Sequence, residues 1–207
     1  EVSHVGVDET GSKKGYKYVT IFADLVKKRV LYAVPDRDSS TWKAFAKELK
    51  KHSGAVEKIR CVSMDMSAPY QKGVKDNCPN ADVVFDKFHL IAKANEAVNK
   101  VRRAEIRRGG KYADLKNTRW LWLKNLRTIA TDNVGSKKRI DKKNLTTAKA
   151  YQMRLCLQDI YLLPHVQLAK QRLWAWCRWV RTKAKQTRFN LLSAMVKVAI
   201  CIENHLN

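Results

Sequence analysis

Two aspartates, Asp8 and Asp65, occupy matching places in two short apolar runs. The run Cys61-Val62-Ser63-Met64 delivers Asp65 to its end, and Ser67-Ala68-Pro69-Tyr70 then opens a helix with a small polar residue and a proline. Upstream, Val2-Ser3-His4-Val5-Gly6-Val7 ends in Asp8-Glu9. A strand that ends in a carboxylate holds it rigidly at a sheet edge. Two such carboxylates on neighbouring strands can share divalent cations, because Mg²⁺ prefers hard anionic oxygen and fills its remaining positions with water and substrate phosphate. A pair of these ions about 3.5–4 Å apart activates an attacking oxygen and stabilises a leaving oxygen in phosphoryl transfer. The chemistry requires Asp8 and Asp65 to meet in space. Asp24 and Asp86 also follow apolar runs and read as turn, cap or ion-pair residues. Alternation puts Glu9 on the face opposite Asp8. His89, in Phe85-Asp86-Lys87-Phe88-His89, reads as a helix-start or core residue near the end of a strand.

The elements that must position these groups follow from periodicity. Val2 to Val7 is a strand running into Asp8, and Thr10 to Gly15 is a turn. Tyr16 to Ala23, closed by Asp24, is a second strand, and Arg29 to Val34 a third; their short connections favour an antiparallel meander. Ser39 or Ser40 caps a helix whose apolar face is Trp42, Phe45, Ala46 and Leu49. Ile59 to Met64 is the fourth strand, Pro69 to Asn77 a short helix, and Ala81 to Phe85 the fifth strand. The order β-β-β-α-β-α-β predicts an α/β fold with a mixed sheet. Strand signals then stop. Helices are expected at 90–108, 145–163, 166–185 and 191–206, with a Trp-containing stretch at 116–129 and a polar loop at 131–143. The division is expected near residues 88–95, giving domains 1–90 and 91–207.

Charge separates these halves. The 207 residues carry a net charge of +23, of which residues 1–87 contribute +4 and residues 88–207 contribute +19. Such an excess points to a polyanion, most simply nucleic acid. The candidate phosphate contacts are Arg102, Arg103, Arg107, Arg108, Lys137, Lys138, Arg139, Arg172, Arg178 and Arg181. Trp174, Trp176 and Trp179 recur at helical spacing and read as helix packing. The five cysteines show no C-x-x-C and no pairing with His at zinc spacing, so reduced structural thiols are expected, as in a cytosolic protein. No apolar run approaches the roughly 20 residues of a membrane span. The chain starts at Glu1 and stops within a helical pattern, so it reads as a piece of a longer protein.

The motifs together resemble the catalytic part of bacterial insertion-sequence transposases of the DDE type, in the ISL-three group. The matching pieces are Val5-Gly6-Val7-Asp8-Glu9, Tyr18 through Asp24, Met64-Asp65-Met66-Ser67-Ala68-Pro69-Tyr70, Pro79-Asn80-Ala81 and Phe85-Asp86-Lys87-Phe88-His89-Leu90. The helical remainder matches more loosely. The resemblance implies a ribonuclease-H-like fold with a basic α-helical insertion, and an acidic triad that binds two Mg²⁺ or Mn²⁺ ions. Asp8 and Asp65 would be its first two members. It further implies cleavage at transposon ends, attack of a 3′-hydroxyl on target DNA, a homo-oligomer in the full-length protein, and a bacterial, nucleoid-associated cytoplasmic location. The family's third member is a Glu in a Glu-Gly-x-Asn-like motif, which this sequence lacks. Glu203 has the wrong neighbours and is not assigned. The third carboxylate is therefore expected beyond Asn207, and the chain alone is expected to be very weakly active. The competing readings are a nuclease or resolvase of the same fold without strand transfer, and a DNA-binding remnant without chemistry.

Overall fold

The computed structural model describes residues 1–13, 17–124 and 145–206. The chain divides into two compact units, Glu1–His89 and Leu90–Asn207.

The first unit is built on five strands: β1 (His4–Lys13), β2 (Lys17–Asp24), β3 (Arg29–Pro35), β4 (Cys61–Met64) and β5 (Asp82–Phe85). Their spatial order is β3-β2-β1-β4-β5. β1 pairs antiparallel with β2 and parallel with β4, and β4 pairs parallel with β5. The mixed sheet forms because the first two connections are short, whereas a helix intervenes before β4 and another before β5. This is the ribonuclease-H-like arrangement. β1 departs from expectation. It does not stop at Asp8 but pairs with β2 up to Lys13, with a bulge between Gly11 and Lys13, so the turn expected from Thr10 is strand in its described part. Partner β2 is long enough to carry the ladder past the polar residues Thr10 to Ser12.

Helices α1 (Ser40–Lys51) and α2 (Ala68–Asn77) cover one face. The apolar face expected for α1 is observed, with Trp42, Phe45 and Leu49 buried. Its cap is a correction: Ser39 makes no side-chain cap, and the Asp38 carboxylate accepts the Ser40 N–H at 2.7 Å instead. Phe22 of β2 lies between the two rings of α1, stacked on Phe45 with centroids 4.2 Å apart and edge-on to Trp42 at 5.0 Å. Val5, Val7, Val62 and Met64 supply the floor beneath them. Gly73 lets α2 approach: a Cβ there would lie 2.0 Å from Cδ1 of the fully buried Trp42. Tyr70 is also fully buried, and its hydroxyl meets the Thr20 hydroxyl at 2.9 Å. Burial pushes its phenol pKa up; the Thr20 bond opposes this, and the charges of Glu9, Asp65 and Asp8 add to it.

Helix α3 (Lys87–Ile106) begins in the first unit and continues into the second. There the described elements are 3₁₀ turns at Gly110–Leu115, Arg119–Trp122 and Arg188–Asn190, and helices α4 (Thr146–Ile160), α5 (Val166–Lys185) and α6 (Ser193–Glu203). The Trp-containing stretch forms 3₁₀ turns in its described part, because Asn117 at φ +60° breaks the run before Arg119. Trp176 is core, as its spacing predicts, and donates its indole N–H to the Met153 carbonyl at 2.9 Å. The buried carboxylate of Glu105 caps α4. It accepts the Thr146 and Thr147 amides at 2.8 and 2.9 Å and the Thr147 hydroxyl at 2.6 Å. A negative group here satisfies donors that a helix start leaves orphaned and complements the helix dipole.

Two substitutions test this packing. Gly73→Ala is expected to destabilise the first unit by about 1–3 kcal/mol, because a rigid buried indole must move; a lowered Tm measures it. Glu105→Gln turns an amide NH₂ against donors and is expected to cost about 1–3 kcal/mol in urea unfolding.

Candidate metal and phosphate site

Side-chain alternation sorts β1 and β4 into two faces. Val5 and Val7 of β1, and Val62 and Met64 of β4, are buried in the core. Gly6 and Asp8, and Ser63 and Asp65, therefore point to the other face. The parallel register pairs Val5 with Val62 and Gly6 with Ser63. Continued for two residues, it sets Asp8 level with Asp65. On the far side, β4 pairs Met64 with Phe85, and the Asp86 amide donates to the Met64 carbonyl at 2.8 Å. Asp86 thus arrives at the same level from the third adjacent strand.

Asp8, Asp65, Asp86 and His89 line one open cavity of about 270 Å³, floored in part by Gly6 and Ser63. Each carboxylate has one oxygen fixed by a backbone amide. Asp8 Oδ1 accepts the Glu9 N–H at 2.8 Å, Asp65 Oδ1 the Ser67 N–H at 2.9 Å, and Asp86 Oδ1 the Phe88 N–H at 2.8 Å. The Asp65 bond closes the turn into α2, and the Asp86 bond caps α3. His89 Nε2 stands 3.8 Å from Asp8 Oδ1 and 3.8 Å from Asp86 Oδ2. That is too long for a hydrogen bond, and within ion-pair reach when the imidazole is protonated. The Asp8 side chain is 69% exposed, so the cavity opens to solvent there. Among the described residues no three His, Cys, Asp or Glu side chains close on a common metal position. Two carboxylates with an open side are nonetheless the donor set that Mg²⁺ takes when water and phosphate complete its shell.

From the sequence, Asp86 is expected to be a turn, cap or ion-pair residue and His89 a helix-start or core hydrogen-bond residue. Both descriptions hold locally, yet both side chains also line the cavity. No local pattern signals this: it follows from β5 lying beside β4 in the sheet, with Phe85 in register with Met64. Asp24 is structural, as expected: it is buried, and its Oδ1 accepts the Val26 and Lys27 amides at 3.0 Å. The Lys27 bond is the chief cause holding its carboxyl below the usual range, with burial opposing. Glu9 turns away toward Arg37, 3.6 Å distant.

In the second unit Arg103, Arg107, Arg108, Arg172 and Arg178 are exposed. Arg102 is a correction to the basic face. It is buried, and its guanidinium donates to the Leu115 carbonyl at 2.8 Å and to Asn99 Oδ1 at 2.9 and 3.2 Å. Lys137, Lys138 and Arg139 lie outside the described residues. Arg181 is half-exposed and holds the Glu203 carboxylate through Nε at 3.0 Å and through Nη2. The late glutamate is therefore already engaged.

The chain is similar to known proteins. The profile of a family described as transposase matches residues 5–207. The transposase for insertion sequence element IS1001 of Bordetella parapertussis is 28% identical over 184 residues, which is 86% of this chain and 44% of that protein. Transposases for insertion sequence element IS1557 from two Mycobacterium tuberculosis strains are 32% identical over 99 residues, 48% of this chain and 22% of theirs. The chain spans less than half the length of the curated relatives it matches.

The Arg181–Glu203 pair carries a pH test. The Arg181 hydrogen bond lowers the Glu203 pKa, with partial burial opposing. A depressed carboxylate stabilises the fold above its unfolded pKa and loses that contribution as pH falls through its folded value. Wild type is therefore expected to unfold at higher temperature than Glu203→Gln at pH 7 and pH 5. The gap is expected to begin shrinking as pH falls past about 4, near the ordinary glutamate value, and to close only below the lowered folded value, as thermal unfolding across pH would reveal.

Proposed function

The chain belongs to the ISL-three group of DDE-type transposases, and from that premise we propose that its first unit carries the metal-dependent phosphodiester chemistry of DNA transposition. The reaction is cleavage at the ends of an insertion sequence, followed by attack of the freed 3′-hydroxyl on target DNA. One observation carries the reading: three adjacent strands bring Asp8, Asp65 and Asp86 to one level on one face, with His89 beside them.

Asp8 and Asp65 would hold Mg²⁺ or Mn²⁺, which when bound activate the attacking oxygen and stabilise the leaving one. The residues themselves do the positioning. β1 and β4 fix the carboxylates at neighbouring places, and the Glu9 and Ser67 amides restrain one oxygen of each. His89, facing both Asp8 and Asp86, supplies positive charge or a proton at Nε2 when protonated. The open side of the cavity admits a backbone phosphate. The exposed arginines of the second unit, Arg103, Arg107, Arg108, Arg172 and Arg178, grip further phosphates, so that DNA affinity falls steeply with salt. The longer protein acts on paired ends as a homo-oligomer, at bacterial DNA in the cytoplasm. These residues hold no Glu-Gly-x-Asn motif, and Glu203 is engaged by Arg181; on this reading the triad's Glu is not among them, Asp86 lines the cavity without standing in for it, and the 207-residue chain turns over slowly at best.

Mn²⁺ binding followed by electron paramagnetic resonance tests the core of this reading. Asp8→Asn and Asp65→Asn are each expected to weaken binding at least about tenfold, the loss of one carboxylate from a two-carboxylate site. Binding unchanged in both variants would sink the assignment. Brisk Mn²⁺-dependent nicking by the isolated chain, lost in Asp65→Ala, would overturn the expectation of slow turnover. For the longer protein, a joined donor–target product separates a transposase from a nuclease of the same fold.

A further inference from the structure

Two exposed aromatic rings of the second unit are each paired with an arginine, and both pairs gather at the C-terminal end of α3. Trp120 is 68% exposed, and the Arg119 guanidinium lies 5.4 Å from its ring centre. Phe189 is also 68% exposed, with the Arg108 guanidinium 3.5 Å above its ring. Phe189 sits at φ +60°, a conformation unfavourable for a bulky residue, and that backbone holds the ring out on the turn before α6. Neither ring is sheltered as a core residue would be, in contrast to Trp122 two residues beyond Trp120, which is 1% exposed.

Trp120 and Arg119 form one wall of a cleft of about 540 Å³, whose other sides are Arg102, Ile106, Lys116 and Asn117. It is a shallow depression, open to solvent. Its charge is one-sided. Arg102 at the cleft wall lies near Arg103 and Arg119, and these like charges, after burial itself, lower its pKa. Among the described residues neither Lys116 nor Arg119 forms an ion pair with a carboxylate. An open aromatic face beside cations matches a ligand that combines a flat ring with a negative charge, which is an unpaired nucleotide. A duplex offers its phosphates to such a surface but keeps its base faces stacked inside.

We propose that the Trp120 cleft is a binding site for an unpaired nucleotide of single-stranded DNA, its base stacked on the Trp120 indole and its phosphate held by Arg119 and Lys116. Phe189 with Arg108 forms a second stacking platform for the same strand. The assignment rests on the preceding reading only in naming DNA as the polymer; it uses none of the aspartates.

The test is fluorescence anisotropy with the 207-residue chain, a labelled twelve-nucleotide oligo-dT and a labelled duplex, at one fixed salt concentration. Trp120→Ala is expected to weaken single-strand binding about tenfold, the scale of one lost base stack, and to change duplex binding less than about twofold. Trp120→Phe restores most of the loss, because any aromatic face stacks. Arg119→Gln weakens the single strand and keeps the fold intact should Trp120→Ala disturb it, which circular dichroism reports. Equal losses on both DNAs, or no loss on the single strand, overturn the cleft as a stacking site while leaving the transposase reading standing. Failure of the wild-type chain to bind either DNA overturns the cleft and strikes the DNA reading too, whereas Mn²⁺ binding at Asp8 and Asp65 is tested independently.

Discussion

Everything at the site depends on the parallel pairing of β1 with β4. That ladder is only three residue pairs long, from His4 with Cys61 to Gly6 with Ser63. It nevertheless decides which side chains face the core. A slip of one residue would turn the valines outward and drive Asp8 or Asp65 into an apolar interior, where an unpaired carboxylate is costly. The buried valines on one face and the aspartates on the other therefore enforce one register. The carboxylates inherit their spacing from a choice that the hydrophobic core has already made.

The helices behind the sheet supply stiffness. Phe22 locks β2 to α1 through two ring contacts, and Gly73 brings α2 against Trp42. Tyr70 ties α2 to β2 through the Thr20 hydroxyl, which itself donates to the Asp36 carbonyl at 2.6 Å. Asp65 leads directly into this α2, so its backbone is held on both sides: by the ladder before it and by an anchored helix after it. Asp8 is braced differently. β1 continues past it, paired with β2, and Asp8 lies opposite Ile21 inside a ladder. A carboxylate within a paired strand is restrained more firmly than one at a free strand end.

These differences explain what could be read from the sequence. Alternation and turn residues located all five strands, and the i, i+3, i+4, i+7 pattern located α1, because each is a local pattern imposed by burial. The helix at 166–185 was legible throughout its length, bounded by Pro164 before it and a polar turn after it. The end of β1 was not legible, because its continuation is supported by a partner strand and not by its own polar residues. The cap of α1 was missed for a similar reason: three adjacent residues, Asp38, Ser39 and Ser40, all suit the role, and backbone geometry chose among them. Arg102 looked like surface because arginine usually is. Its burial depends on the Leu115 carbonyl and Asn99, and the carbonyl belongs to a turn whose return to α3 no local pattern announces. His89 and Asp86 joined the cavity through sheet order, a long-range property that spacing alone does not carry.

The division of charge between the units follows from the same chemistry. A site that gathers carboxylates repels a polyanion until cations intervene, and among the described residues the basic side chain that comes within 4 Å of Asp8 and Asp86 is His89. Divalent ions would neutralise the carboxylates only locally, since salt screens charge beyond about 8–10 Å. On the proposed reading, a polyanion would need cations beyond those at the acidic site. The excess lies in the second part of the chain: residues 88–207 carry +19, against +4 on residues 1–87. Within it the cations are not equivalent. Arg102 and Arg154 are buried and hold carbonyls, and Arg181 holds Glu203, so they build the unit. Arg103, Arg107, Arg172 and Arg178 stay in solvent, where a flexible charge can follow a phosphate backbone. Arg108 and Arg119 lie against exposed rings near the end of α3, and it is there that the proposed stacking of bases, as distinct from phosphate contact, would occur.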